Sequence, residues 1–385
     1  MRSIRAYKNN NKLLPARAVA ISAAVLLSLL ALLLARNVAA VDFALLPAIK
    51  SELAEQGLLL DAASNGNRLL VAGEQGYILF SDDGGATWSN SDVPVSLAIT
   101  GVAFAGDNHA WATAHDGFLL HSTDNGQSWQ TKLTGSNVAE LSVGALEERV
   151  EAIRADLAEA TDETREDLEW ALEDGLFAIE EAKEAIDTGM TTPLLDVWFY
   201  DADNGFALGA YGVFLRTRDG GVTWVVDSNR LDNLDKYHLY GITRSKAGTL
   251  LVAGEAGTVL RSLDDGMTWE RIETSYSGSF FGTVAARDGG LLVFGLRGNV
   301  FRSADEGETW SAVDTGDERT LMSGTIRDDG ILVLAGSAGA LLVSEDDGAS
   351  FDSIPTEGSR VYSGTTTTRN GNIVLVGFGG ISVYE

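Results

Sequence analysis

Six copies of one eight-residue segment constrain this 385-residue chain more than any other feature. They read Ser81-Asp-Asp-Gly-Gly-Ala-Thr-Trp88, Ser122-Thr-Asp-Asn-Gly-Gln-Ser-Trp129 and Thr217-Arg-Asp-Gly-Gly-Val-Thr-Trp224, followed by Ser262-Leu-Asp-Asp-Gly-Met-Thr-Trp269, Ser303-Ala-Asp-Glu-Gly-Glu-Thr-Trp310 and Ser344-Glu-Asp-Asp-Gly-Ala-Ser-Phe351. The shared pattern is [Ser/Thr]-x-Asp-x-Gly-x-[Ser/Thr]-[Trp/Phe]. Successive aromatics lie 41, 95, 45, 41 and 41 residues apart, so one interval holds an insertion of about 54 residues beyond a repeat. A period near 40 with strand-like content is the mark of propeller blades.

Each repeat carries its own physical logic. Two apolar runs joined by a Gly-rich turn precede the box, as in Leu69–Gly73 with Tyr77–Phe80, or Leu291–Gly295 with Asn299–Phe301. Short apolar runs bounded by such turns read as buried strands. In the box, Asp and Ser/Thr oxygens can bond backbone N–H groups of a tight turn, and the aromatic offers a face to the neighbouring sheet. Asp83, Trp88, Asp124, Trp129, Asp219, Trp224, Asp264, Trp269, Asp305, Trp310, Asp346 and Phe351 therefore read as structural residues. The expected fold is all-β: a seven-bladed propeller over residues 41–385, with six or eight blades left open. Residues 360–385 supply three strand-like pieces and no box, and a segment near Asp42–Pro47 is expected to give the missing outer strand. A closed ring removes sheet edges.

Residues 1–17 hold five bases and no acid, and Ala18–Ala35 form an 18-residue apolar run closed by Arg36. At ~1.5 Å per residue such a helix spans about 27 Å, enough for a bilayer core. This region, 1–40, is expected to be a membrane anchor through residues 18–35, or a signal peptide cleaved near Ala40. Either reading places the rest on the periplasmic side of an inner membrane, anchored or soluble.

The insertion, about 137–190, reads as a helical hairpin between blades 2 and 3. Leu146, Val150, Ile153 and Leu157 repeat at 4-3-4 spacing. Leu168, Leu172, Leu176 (or Gly175), Ile179 and Ile186 form a second such stripe. Two helices near 138–160 and 164–187 would pack antiparallel. Between Glu147 and Asp187 there are 16 acids and 4 bases. That composition suits a solvated face around an apolar seam, or a docking arm.

Other features exclude function classes. A net charge of -27 argues against nucleic-acid binding. With no Cys there is no disulfide, zinc-thiolate or iron–sulfur chemistry. The boxes and Asp201-x-Asp203-x-Gly205 lack the ligand spacing of a calcium-binding EF-hand loop. The four His show no metal-ligand spacing, and no cofactor or metal site is expected. The Gly-x-x-Gly turns lead into strands, not helices, so they are not dinucleotide loops.

Two sets of residues are candidates for partner binding. Arg244, Arg287, Arg327 and Arg369 each end an inner strand, and Arg216, Arg261 and Arg302 each precede a box. They could form a basic arc for carboxylates, or pair with box acids. On the face shared with the hairpin, Tyr211, Arg297, Tyr240 and Phe281 would surround the channel mouth.

The repeated grammar Gly-x-x-Gly-…-Arg-Ser-x-Asp-x-Gly-x-Thr-Trp, as in Gly254–Trp269 and Gly295–Trp310, resembles the photosystem II stability/assembly factor family of Asp-box propellers. The resemblance covers roughly 45–385 apart from the insertion. It implies a seven-bladed propeller that works without catalysis, outside the cytoplasm or in the thylakoid lumen. Such a protein binds a membrane-protein precursor while a complex is assembled. Relatives in non-photosynthetic bacteria imply a second kind of partner, an exporter of the resistance-nodulation-division (RND) type. The hairpin and the missing lipid-modified Cys depart from the family and favour a non-photosynthetic envelope relative. The alternative is a sialidase-like or other glycoside hydrolase, since sialidases share the box. This chain lacks their Arg-Ile-Pro motif, because Arg271-Ile272 is followed by Glu.

Overall fold

The computed structural model describes residues 43–385 apart from Glu357. The anchor or signal expected at 1–40 lies outside the described residues. Among these residues no helix is long and apolar enough to cross a membrane.

The apolar runs form strands as their alternation requires. In each repeat the second strand is wholly buried, as in Leu69–Gly73, Leu250–Gly254 and Ile373–Gly377. The described strands make seven antiparallel sheets, six of four strands and one of three, each in simple up-and-down order. The inner strands are Leu59–Ser64, Ile99–Phe104, Leu194–Phe199, Leu239–Arg244, Phe280–Ala285, Leu321–Ile326 and Tyr362–Thr367. Each contacts the next in chain order, and the last contacts the first, so the sheets radiate from a common channel. This is a mostly β propeller carrying two helices.

The first residue of each inner strand (Leu59, Ile99, Leu194, Leu239, Phe280, Leu321, Tyr362) is buried between sheets. The second residue turns the other way, and Leu60, Thr100, Leu195, Tyr240, Phe281, Met322 and Ser363 line the channel. Separate apolar cores fill the gaps between sheets. One of them holds Leu59 and Val71 of the first sheet with Val374 and Val376 of the seventh.

The boxes behave alike in all six copies. The Ser/Thr hydroxyl donates to Asp Oδ1 at 2.7–2.9 Å and accepts the Gly N–H at 2.8–2.9 Å. The seventh residue donates its N–H to Oδ1 at 2.9 Å and its hydroxyl to Oδ2 at 2.5–2.7 Å. Each carboxylate is thus occupied in holding its own turn. The Gly also lets adjacent sheets approach. A Cβ on Gly126 would sit 2.6 Å from Leu70 of the preceding sheet, at a φ of +85° that disfavours side chains.

One expectation is corrected. Among the described residues the seventh sheet has three strands, and residues 43–47 do not complete it. Ser96 N–H donates to the Ala44 carbonyl at 2.9 Å and Ala48 N–H to the Val93 carbonyl at 3.0 Å, which ties this segment to the connection after the first sheet. The edge strand Gly380–Tyr384 instead meets the turn Ala54–Gln56, and Gly380 lies so close to the Glu55 carbonyl that a Cβ would be 1.9 Å away. The inner strands make the junction: Ser363 Oγ donates to the Leu59 carbonyl at 2.8 Å.

The insertion is a pair of helices, α1 (Gly135–Glu159) and α2 (Asp162–Thr188). α1 starts three residues earlier than the sequence pattern suggested. Thr134 Oγ1 accepts the Asn137 N–H while Asn137 Oδ1 accepts the Thr134 N–H, a capping box. Val150, Ile153 and Ile179 are buried in the seam. Gly175, not Leu176, faces α1, with a notional Cβ 2.9 Å from Val150 Cγ2. Val138 joins the core around Trp111 and Trp224, which roots the hairpin in the second and third sheets.

Candidate partner-binding surfaces

A channel of about 830 Å³ runs through the ring. At the hairpin-side mouth the inner-strand alternation places Tyr240 and Phe281, whose rings meet at 5.2 Å. Tyr211 is 63% exposed on the neighbouring turn, its ring 5.0 Å from that of His238 and tilted to it by 56°. Tyr211 and Arg297 share one turn position with Gln75, Asp116, Ala256 and Ala338, all at φ of 51–61°. The same bend recurs with unrelated side chains, so it belongs to the fold. Phe280 and Tyr362, the first residues of their strands, are core residues. The hairpin shares this face: Thr191 Oγ1 donates to Asp116 Oδ1 at 3.3 Å, and α1 contacts the turn His115–Gly117.

At the opposite mouth a groove of about 500 Å³ is lined by Arg244, Lys246 and Arg287, with Ile326 beneath. Arg244 pairs with Asp265 at 2.9 Å and covers the Tyr200 ring at 4.6 Å. Arg327 pairs with Asp329 at 2.8 Å. Arg287 and Arg369 instead donate to neutral oxygens, the Asp329 carbonyl at 2.5 Å and Asn67 Oδ1 at 3.2 Å. Four Arg of the expected arc thus stand at strand ends, and among the described residues two of them, Arg287 and Arg369, form no ion pair, although Asp347 Oδ1 accepts the Arg287 backbone N–H at 3.1 Å.

The box-preceding Arg are placed differently. Arg216 pairs with Asp227, Arg302 with Asp288, and Arg261 with Glu270 at 2.5 Å and Glu308 at 2.9 Å. Their side chains are largely buried. Arg261 and Arg302 also donate to the Glu306 and Asp347 carbonyls of the following sheet's box, at 3.1 and 2.9 Å. Arg68, which the sequence did not single out, does the same to the Asn125 carbonyl at 3.0 Å while holding Asp82 with two bonds. These three guanidinium groups join one sheet to the next.

The channel wall holds two carboxyls that sequence spacing could not locate. Asp61 and Asp196 occupy the third position of their inner strands, where four other sheets have Gly. Asp61 Oδ2 accepts the Val102 N–H of the next sheet at 2.8 Å. Asp196 is placed likewise toward the Ile242 N–H, and Ser323 Oγ accepts the Thr365 N–H at 3.0 Å. The next sheet has Gly at the facing position each time: Gly101, Gly241 and Gly364. These Gly also admit the sheet that follows: a Cβ on Gly101 would lie 3.1 Å from Asp196 Cα, and one on Gly364 2.7 Å from Asp61 Cα. Burial pushes Asp61 up to about 6, against the pull of the Val102 and Ala62 N–H groups. Burial, and then the Asp61 charge, raise Asp196 well above the usual carboxylate range.

Cross-strand register also brings His109 Nδ1 within 3.0 Å of His121 Nε2, with His121 stacked on Trp111 at 4.1 Å. Burial, helped by His109 and Lys132, lowers His121 to about 4. Among the described residues no group of three or more His, Asp or Glu is placed to hold a metal ion.

The family model described as "Photosynthesis system II assembly factor YCF48" matches residues 49–148 and 178–329. The solved structure of YCF48 bound to a D1 peptide is 17% identical, with a TM-score of 0.57 over 90% of this chain and 98% of that one. YCF48 from Cyanidioschyzon merolae is 15% identical, with a TM-score of 0.57 over 86% and 95% of the two chains. The WD40 propeller domain of Doa1 is 8% identical, with a TM-score of 0.58 over 89% and 96%. No curated protein matches the chain by sequence.

Proposed function

The chain belongs to the photosynthesis system II assembly factor YCF48 family, and from that premise we propose that it is a non-catalytic, seven-bladed platform that holds a segment of a membrane-protein partner during assembly. The observation that carries this reading is the family match to two long stretches, 49–148 and 178–329, that span most of the propeller body and the base of the hairpin. A relative has been solved with a D1 peptide bound, which supports recognition of a peptide segment by such a platform. The surface supports it too. The box carboxylates hold their own turns, and the half-buried Asp61 and Asp196 of the channel wall face backbone N–H groups, which gives both sets a structural task. The exposed polar groups that remain are those a docking surface needs.

On this reading the groove beside Arg287 receives a carboxylate-bearing segment, and Arg287 and Arg369 give the strongest attraction because neither guanidinium forms an ion pair among the described residues. The periplasmic placement, the anchor at 18–35 and an RND exporter as partner are extensions of the same proposal. The test is a mild-detergent pull-down of the full-length chain with identification of what it retains. A membrane protein recovered with the wild type, and lost on charge reversal at Arg287 and Arg327, supports the proposal. Recovery of none, or glycosidase turnover, overturns it.

A further inference from the structure

The family match stops at residue 148 and resumes at 178, so it omits the tip of the hairpin and most of the outer face of α2. That face is unusual. Trp170 is 74% exposed and Phe177 is 59% exposed. Seven residues on a helix return to nearly the same side, so the two rings stand about 10 Å apart along one stripe. The seam toward α1 is already filled by Gly175, Ile179 and their neighbours, so neither ring packs inward. Between Glu166 and Ala182 the sequence has seven acids and no base. Of the hairpin's four bases, Arg149 stands exposed on α1, Arg154 is held by Glu151, Lys183 by Glu147 of α1, and Arg165 by the Ala160 carbonyl.

We propose that the Trp170–Phe177 face of α2 docks a cationic amphipathic helix of a protein partner. Large exposed rings on a helix that could have used Lys or Glu there mark a contact surface. The surrounding carboxylates set the sign of the partner. Lys or Arg side chains would reach the acids and lie over the Trp170 face, while an apolar stripe covers Phe177. The same charge disfavours the other occupants of an apolar stripe. A second hairpin would bring its own acids, and an anionic lipid surface would be repelled. This inference rests on the reading of the chain as a partner-binding platform and adds a second contact with its own chemistry.

The test uses the full chain and two synthetic amphipathic helices of about 18 residues, ~27 Å long. One carries Lys and Arg on its polar face, and the other carries Glu at the same positions. Calorimetry should show one basic peptide per chain, weakened by salt, and no binding of the acidic one. Trp170→Ala with Phe177→Ala should weaken it about tenfold or more, as should Glu173→Lys with Asp174→Lys. Both pairs are exposed, so the melting curve should not move. Unchanged affinity in the aromatic variant would reduce the contact to bulk charge and overturn the proposal. So would failure of the basic peptide to bind, binding to anionic vesicles, or a dimer that the aromatic changes dissolve. A pull-down partner retained equally by wild type and aromatic variant would end this inference while leaving the platform reading intact.

Discussion

Replacing Asp61 by Asn should stabilise the protein, and the gain should depend on pH in a set direction. The Asp61 carboxyl faces the channel wall, bonded to the Val102 N–H of the next sheet. Its pKa is raised from 3.8 to about 6 by burial. Between these values the folded protein holds more of this proton than the unfolded chain, so stability falls as pH rises from about 4 through 6. Moving the carboxyl from 3.8 to about 6 costs the charged form about 3 kcal/mol, at ~1.4 kcal/mol for each tenfold change in proton affinity, and this penalty is present by pH 7. Asn keeps an acceptor for the Val102 N–H and has no charge to bury. Asp61→Asn should therefore gain up to about 3 kcal/mol at pH 7.5 and little near pH 4. The assay is urea denaturation of both proteins across this range, with equal m-values as the check that only stability has changed. A variant no more stable than wild type at pH 7.5, or a difference that persists near pH 4, would refute the reasoning.

The boxes have the opposite sign. Hydrogen bonds led by the seventh-residue hydroxyl hold Asp83, Asp305 and Asp346 at about 2, so they stabilise above the ordinary value of 3.8. That contribution is lost as pH falls through about 2, and circular dichroism should show steepening acid loss below pH 4. Ser323→Ala should cost about 1–3 kcal/mol by leaving the Thr365 N–H without its acceptor, read from the denaturation midpoint. Deleting 138–188 should leave the strand signature of the ring in circular dichroism and abolish recovery of the membrane partner. Retained recovery would remove the hairpin from the binding surface. Charge reversal at Arg287 and Arg327 together should weaken partner binding in a salt-dependent way, measured by titration with the purified partner.

Much of this was legible because the chain repeats. The box grammar locates the turns, the paired apolar runs locate the strands, and the 95-residue gap locates the hairpin. What depends on register was not legible. Asp61 and Asp196 look like any strand acids until the inner strands are aligned and the facing Gly appear. His109 and His121 are twelve residues apart in the sequence, yet an antiparallel pair places them side by side. Arg216, Arg261 and Arg302 had two open readings, and only the positions of Asp227, Glu270, Glu308 and Asp288 decide their geometry. The strand expected near Pro47 failed because the need to complete the seventh sheet was inferred from ring closure. Inner-strand contacts already meet that need.

The central claim is that the seventh sheet closes on the first and so makes a rigid platform. Asn67 and Arg369 touch across that junction although 302 residues separate them. The chain has no Cys, so Asn67→Cys with Arg369→Cys gives one clean pair for a short bismaleimide. A closed ring predicts fast, near-complete crosslinking in the folded monomer, seen as a compact looped species on denaturing gels and absent when urea precedes the reagent. Failure of the folded protein to form the loop would contradict the account.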